Sequence, residues 1–219
     1  SEWEIRPSVG HTFDVYVPEG VCINVGAGAS RYTACAGEEK DVVIGAGLEI
    51  TVSAPPDVAT RVELAGGLVL AWRREGSFSI RAAVDSGLHR IHASFSLGKW
   101  TLYTPPKDIL LRAGEVESLR FAAPVGKLKI EAVDEYGAPV YVERVELVGT
   151  PTAEAHLEEP LALSFDEHPP DFITLPAGIY VVAVQSEGKR AYAKVELQPG
   201  EVKNVFVTFP EATRIYHRR

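Results

Sequence analysis

The sequence predicts an all-β protein built as two tandem antiparallel β-sandwich domains, Ig-like or transthyretin-like in plan, and three observations carry that prediction. First, short segments of alternating apolar and polar residues recur along the 219-residue chain, each closed by glycine or proline. This is the period-two signature of half-buried strands. Second, no stretch keeps a helical period for three turns. Third, the run Leu-Arg-Ala-Gly-Glu-Val starting at Leu111 returns as Leu-Gln-Pro-Gly-Glu-Val starting at Leu197, an offset of 86 residues. Each copy continues through alternating apolar positions to a proline, Pro124 or Pro210, so each reads as the end of one domain. Short strands at close spacing with turn signals between them favour sandwiches over βαβ units.

The elements follow in chain order. Residues 1–7 place Trp3 and Ile5 among polar neighbours, the pattern of one added strand with no partner of its own nearby. Residues 12–17 alternate as a strand. Cys22 and Cys35 then flank a polar, glycine-rich stretch. A disulfide there is the default reading and would contribute about 3 kcal/mol by closing so short a loop. Two free buried thiols are the alternative, while a lone pair at this spacing suits neither redox catalysis nor a metal. Gly26-Ala-Gly28 and Gly45-Ala-Gly47 are tight turns, because no helix follows to complete a phosphate cradle. Strands are expected at residues 48–52, 61–64, 78–82 and 90–95. The Gly114-Glu115 turn reads as a hairpin feeding a closing strand. The boundary falls near residues 122–126, giving domains 1–123 and 124–219 joined by a short proline-bearing linker. In the second half, residues 128–133, 142–148, 180–184, 192–197 and 205–209 repeat the alternation before a short basic tail at 211–219.

Composition bounds the function. A formal net charge of −8 opposes binding to a polyphosphate chain, so nucleic acid is excluded as the expected partner. No apolar run is long enough to span a bilayer as a helix. Two Asn, two Gln, two Cys and no Met amount to a depletion of thermolabile residues, which reads as heat adaptation. The complete absence of Met also reads as signal-peptide removal and export to the cell surface or beyond, with a trimmed or excerpted chain as the alternative.

The second domain carries Asp134-Glu-Tyr-Gly137-Ala-Pro139-Val and then Leu175-Pro-Ala-Gly178-Ile-Tyr180 before Gly200-Glu-Val. This order resembles the carboxypeptidase-regulatory-like, transthyretin-like family of small β-sandwiches. The resemblance covers residues 126–209, and the first domain matches only from Gly87 onward. It implies a sandwich in which the proline and glycines set turns and the tyrosine packs at the sandwich edge; it implies no activity.

Candidate chemistry is sparse. Residues 150–171 form an acidic insert whose Glu154, Glu158, Glu159, Asp166, Glu167 and Asp171 offer oxygen ligands for calcium, although their spacing matches no calcium loop. A solvated surface loop explains the same residues without an ion, and no other cofactor is expected. His89 and His92 point to opposite faces of one strand and share no metal. No G-x-S-x-G elbow occurs, and no enzyme is expected. Trp3, Trp72 and Trp100 could offer sugar-stacking faces; Trp100, near a turn, is the one expected on the surface, and Trp72 reads equally well as core. The expected function is therefore a non-enzymatic, exported structural protein, the self-associating subunit of a surface filament linked by strand addition through Trp3 and Ile5. The alternative is an extracellular module that binds a glycan or a partner protein.

Overall fold

The structure is a computed structural model, and it describes residues 18–27, 30–36, 45–152, 155–157 and 159–210. The expected strand at 12–17 lies outside them. Every described element is a strand: β1 Cys22–Ala27, β2 Ser30–Cys35, β3 Ala46–Ser53, β4 Ala59–Leu64, β5 Val69–Glu75, β6 Phe78–Val84, β7 Gly87–Leu97, β8 Trp100–Tyr103, β9 Lys107–Leu111, β10 Val116–Ala122, β11 Val125–Asp134, β12 Arg144–Pro151, β13 His156–Leu157, β14 Leu161–Asp166, β15 Ile173–Pro176, β16 Gly178–Ser186, β17 Lys189–Leu197 and β18 Val202–Phe209. The chain is all-β, as its alternation predicts. It divides into two compact units, one ending at Ala93 and resuming over Pro106–Ala122, the other comprising Ser94–Pro105 and everything from Ala123.

In the first unit, β10–β3–β6 form one sheet, and β9, β7, β4 and β5 pair in the other. Alternate residues of β3, Leu48, Ile50 and Val52, turn inward with Val62 and Leu64 of β4, Ile91 of β7 and Phe121 of β10. Burying each such side chain contributes about 1.5–3 kcal/mol, and the core assembles from these alternating faces. β1 and β2 form a separate two-stranded sheet in which Cys22 pairs with Cys35, and the two are bridged. Among the described residues this ribbon has no third strand; a two-stranded ribbon is marginal in water, and the bridge across its open end stabilises it. Reduction is expected to abolish hydrogen-exchange protection of the β1–β2 amides while β3–β10 keep theirs, measured by exchange with and without dithiothreitol; retained ribbon protection after reduction would contradict this.

The second unit repeats the plan: β15–β11–β18 form one sheet and β14–β12–β16–β17 the other. Leu128 and Ile130 of β11 meet Val145 and Leu147 of β12, Val182 and Val184 of β16, and Val207 of β18 in its core. The Ser94–Pro105 segment adds the end of β7 and β8, with Phe95 opposite Leu102, and β13 pairs with β8 through His156 and Tyr103.

The correspondence between the units extends to register. Gly87 pairs with Leu111 in the first unit and Gly178 with Leu197 in the second. Each repeated turn has a left-handed glycine, Gly114 at φ 79° and Gly200 at φ 76°. The Glu115 and Glu201 amides each donate to the carbonyl three residues back, at 3.1 Å. The Glu115 carbonyl then accepts from Gly47, and the Glu201 carbonyl from Lys127. Beyond the turn, β10 runs parallel to β3 and β18 parallel to β11. The turn is therefore not the hairpin its sequence suggests. Its two flanking strands belong to different sheets, and the crossing between sheets makes the closing strand parallel to its neighbour, an exception to the otherwise antiparallel plan.

The acidic insert is also not a plain loop. It supplies β13 and β14, and β14 pairs antiparallel with β12 from Gly149 opposite Leu161 to Arg144 opposite Asp166.

Candidate binding surfaces

The sequence-predicted residues separate in space. Trp3, Ile5, Glu154 and Glu158 lie outside the described residues. Asp166 ends β14 opposite Arg144, and the Glu167 amide donates to the Glu143 carbonyl 2.9 Å away. Glu159 and Asp171 are exposed in the segments before and after β14. Among the described residues no three His, Cys, Asp or Glu side chains come together to hold a metal. Asp134 is a turn-forming acid: its Oδ1 accepts from the amides of Tyr136 at 2.9 Å and Ala138 at 2.8 Å. Gly137, at φ 81°, completes that turn. Glu201 behaves similarly, its carboxylate accepting from the Gln198 amide at 2.9 Å and pairing with Lys203 at 3.2 Å. The backbone bond first, and Lys203 second, hold that carboxyl below the usual range.

His89 and Tyr180 are counterparts. Each sits two residues after the paired glycine of its unit and bonds the carbonyl four residues upstream, His89 Nε2 to Asp85 at 2.6 Å and Tyr180 Oη to Pro176 at 2.5 Å. Both are structural, and burial pushes the Tyr180 hydroxyl well above its ordinary titration range.

Trp100 reverses its expectation, and Trp72, which read equally well as surface or core, is on the surface. Trp100 is only 5% exposed, and its Nε1–H donates to the Pro160 carbonyl at 3.1 Å. It shares an inward face of β8 with Leu102, and the segment before β14 covers it. Trp72 is 60% exposed. Its neighbour Ala71 takes the inward position opposite Val62, which turns the indole outward.

Two outward surfaces stand out. In the second unit, β16 reads Gly-Ile-Tyr-Val-Val-Ala-Val, a continuous apolar run of the kind found in strands covered on both faces. Only one face is covered. Tyr180, Val182 and Val184 are buried, whereas Ile179 and Val181 are 44% and 46% exposed. Val181 pairs with Val148, itself 62% exposed, and Ala183 pairs with the equally exposed Tyr192. Arg144, Glu146, Lys194 and Glu196 edge this apolar centre with both signs of charge, Glu146 pairing with Arg144 at 3.1 Å.

In the first unit, the β4–β5 pairing slips. Thr60 faces Arg74 and Val62 faces Ala71, so Trp72 and Arg73 together oppose the single residue Arg61. This is a β-bulge, which bends the strand and re-aims side chains. Arg73 takes φ 43°, a left-handed conformation that costs a residue with a Cβ about 1–2 kcal/mol. The Arg61 guanidinium stacks 4.5 Å from the Trp72 ring centroid and pairs with Glu63 at 2.6 Å. Sequence alternation alone gave no sign of this surface; Trp72, named among the candidate sugar-stacking faces, was its one legible trace.

No protein-family model matches the chain, and no curated protein matches it in sequence. Among solved structures it is similar to a candidate adhesin of Bacteroides ovatus, at 9% identity over 77% of this chain and 88% of that one, with a TM-score of 0.45. It is also similar to a candidate polysaccharide-binding protein of Bacteroides thetaiotaomicron, at 10% identity over 77% and 92%, with a TM-score of 0.44. A third similarity is to the Bacillus anthracis TIE protein, at 15% identity and a TM-score of 0.30; the alignment covers 76% of this chain but about a third, 34%, of that one. Likenesses at these values set neither fold nor function for this chain.

Proposed function

We propose that the chain is a non-enzymatic structural protein of a cell surface or extracellular assembly, exported by a heat-adapted organism, and that it self-associates. The second unit we take to be of carboxypeptidase-regulatory-like type. The observation that carries self-association is the half-covered apolar strand β16, with Ile179 and Val181 open to solvent beside Val148. A second copy is the occupant that suits this face. A two-fold pair needs a self-complementary patch, and the edging charges of both signs, Arg144 and Lys194 with Glu146 and Glu196, let opposites meet across such an axis. The Cys22–Cys35 bridge agrees with an oxidising, extracellular setting. Successive pairs would be joined by strand addition, with Trp3 and Ile5 anchoring residues 1–7 on an exposed edge of a neighbouring subunit.

Sedimentation velocity tests both contacts. The wild-type chain is expected to sediment above monomer mass, increasingly so with concentration. Val181→Lys, which puts a charge into the apolar centre, is expected to weaken the pair by about 2 kcal/mol or more, roughly thirtyfold. Deleting residues 1–7 is expected to stop growth at the pair. A wild-type chain that stays monomeric at every concentration would overturn the reading. The alternative, a binding module, is favoured by one specific observation, the outward Trp72 of the first unit.

A further inference from the structure

We infer that the bulged edge of the first unit is a binding site for an anionic saccharide, one that carries carboxylate groups on pyranose rings. The site belongs to the binding-module reading and stands independently of self-association. Three observations meet there. Among the described residues β5 is the edge strand of its sheet, and no further described strand lies beside the surface around Trp72. Trp72 is the one described tryptophan that faces solvent, since Trp100 is buried. A flat, exposed indole suits the C–H face of a pyranose, while an isolated indole on a strand would ordinarily be turned into the core.

The second observation is the charge beside it. Arg61 and Arg73 set two guanidinium groups on the Trp72 face of the hairpin with Glu63 and Glu75, while Arg74, opposite the buried Thr60, lies on the other face. Arg61 is held in place on the indole face and by Glu63. Arg74 stacks 5.1 Å from the Phe78 ring centroid. Arg73 has no ion-pair or hydrogen-bond partner among the described residues. Its guanidinium fork is free to take a carboxylate in two parallel hydrogen bonds.

The third observation is the backbone. The extra residue of the bulge puts Trp72 and Arg73 side by side opposite Arg61, where a regular ladder would send them to opposite faces. The left-handed φ of Arg73 is the conformational cost of that placement, and a glycine would adopt it without strain. A residue that strains the backbone, carries an unpaired charge and flanks an exposed indole is explained by a ligand that uses both. The pyranose stacks on the Trp72 ring face that Arg61 does not cover, its carboxylate meets Arg73, and Glu63, oriented by Arg61, accepts from ring hydroxyls.

The test is affinity electrophoresis and calorimetry of the full chain with polygalacturonate, with dextran as the neutral control and polyglutamate and single-stranded DNA as anionic controls. Polygalacturonate is expected to bind, more weakly as salt is raised, and dextran is not. Trp72→Ala is expected to lower affinity at least tenfold. Arg73→Gly is expected to lower it severalfold while raising the melting temperature, because it removes the charge and relieves the strain together. That opposite movement separates a binding role from a structural one. Absence of polygalacturonate binding, undiminished binding by Trp72→Ala, or equal binding of polyglutamate or DNA would each overturn the inference. Sedimentation of the same two variants is expected to match wild type, so failure here leaves the self-association result to stand or fall by itself.

Discussion

Tyr180→Ala is expected to destabilise the second unit by about 3–5 kcal/mol, the range for deleting a large aromatic from a core. Tyr180 is 2% exposed near the start of β16. Its ring lies directly over Gly149 of β12, where an added Cβ would stand 2.6 Å from two ring carbons. The ring therefore occupies space that the opposite strand has vacated for it, and removing it leaves a cavity bordered by backbone, which cannot collapse easily. Two companion variants divide the effect. Tyr180→Phe keeps the ring but leaves the Pro176 carbonyl without its donor, and is expected to cost about 1–2 kcal/mol. Gly149→Ala drives a methyl against the ring and is expected to cost about 1–3 kcal/mol, as overpacking does. Urea unfolding of the three variants checks the order. Tyr180→Phe as damaging as Tyr180→Ala would show that the hydroxyl, not the ring, dominates.

Trp100→Ala is expected to cost a similar amount, about 3–5 kcal/mol. The indole is buried under the segment that precedes β14, and its Nε1–H holds the Pro160 carbonyl. This hydrogen bond and the β13–β8 pairing through His156 and Leu157 are non-local attachments that tie that segment down. Losing the indole is expected to expose residues 155–160 to proteolysis before the sandwich of β11, β12, β16 and β17 unfolds. Trp100→Phe is expected to fall between, retaining much of the burial and none of the hydrogen bond. Limited proteolysis followed by mass analysis reads the first effect, and thermal melting the second. Cleavage elsewhere first would contradict this attachment.

Where a strand carries its own alternation, its sequence was enough. β3, β4, β6, β7, β11, β12, β17 and β18 each overlap a segment that reads as period two, because one face of each packs on a core and the other meets water. β14 was hidden inside an acidic insert, since a strand at a sheet edge tolerates charge at its outward positions and its pairing with β12 depends on residues well upstream. β8 and β13 are too short to show a period, and they are strands because β8 pairs with β7 and β13 in turn with β8. β5 was missed for another reason. Its two bulges break the alternation that would have announced it.

The candidate surfaces were less legible than the fold. The run 179–184 announces a strand covered on both faces, and only the finished sandwich shows that one face stays open. Trp72 and Trp100 have similar local surroundings in sequence, with a small or charged residue on one side and polar or apolar residues on the other. Which is buried depends on whether another segment lies over it, and local sequence does not encode that.

The sequence by itself determined the all-β class, the two-fold repeat ending in Gly-Glu turns, the Asp134 turn and the default Cys22–Cys35 pairing, while Tyr180, expected at the sandwich edge, is buried in the core. What the sequence determined rests on interactions within a few residues or on one strand's own periodicity. The tertiary structure alone decided the parallel closing strands, the His89–Tyr180 equivalence, the open face of β16 and the bulge that sets Trp72 beside Arg73. Each of these is a relation between strands distant in the chain, and register and direction exist only once a partner strand is in place.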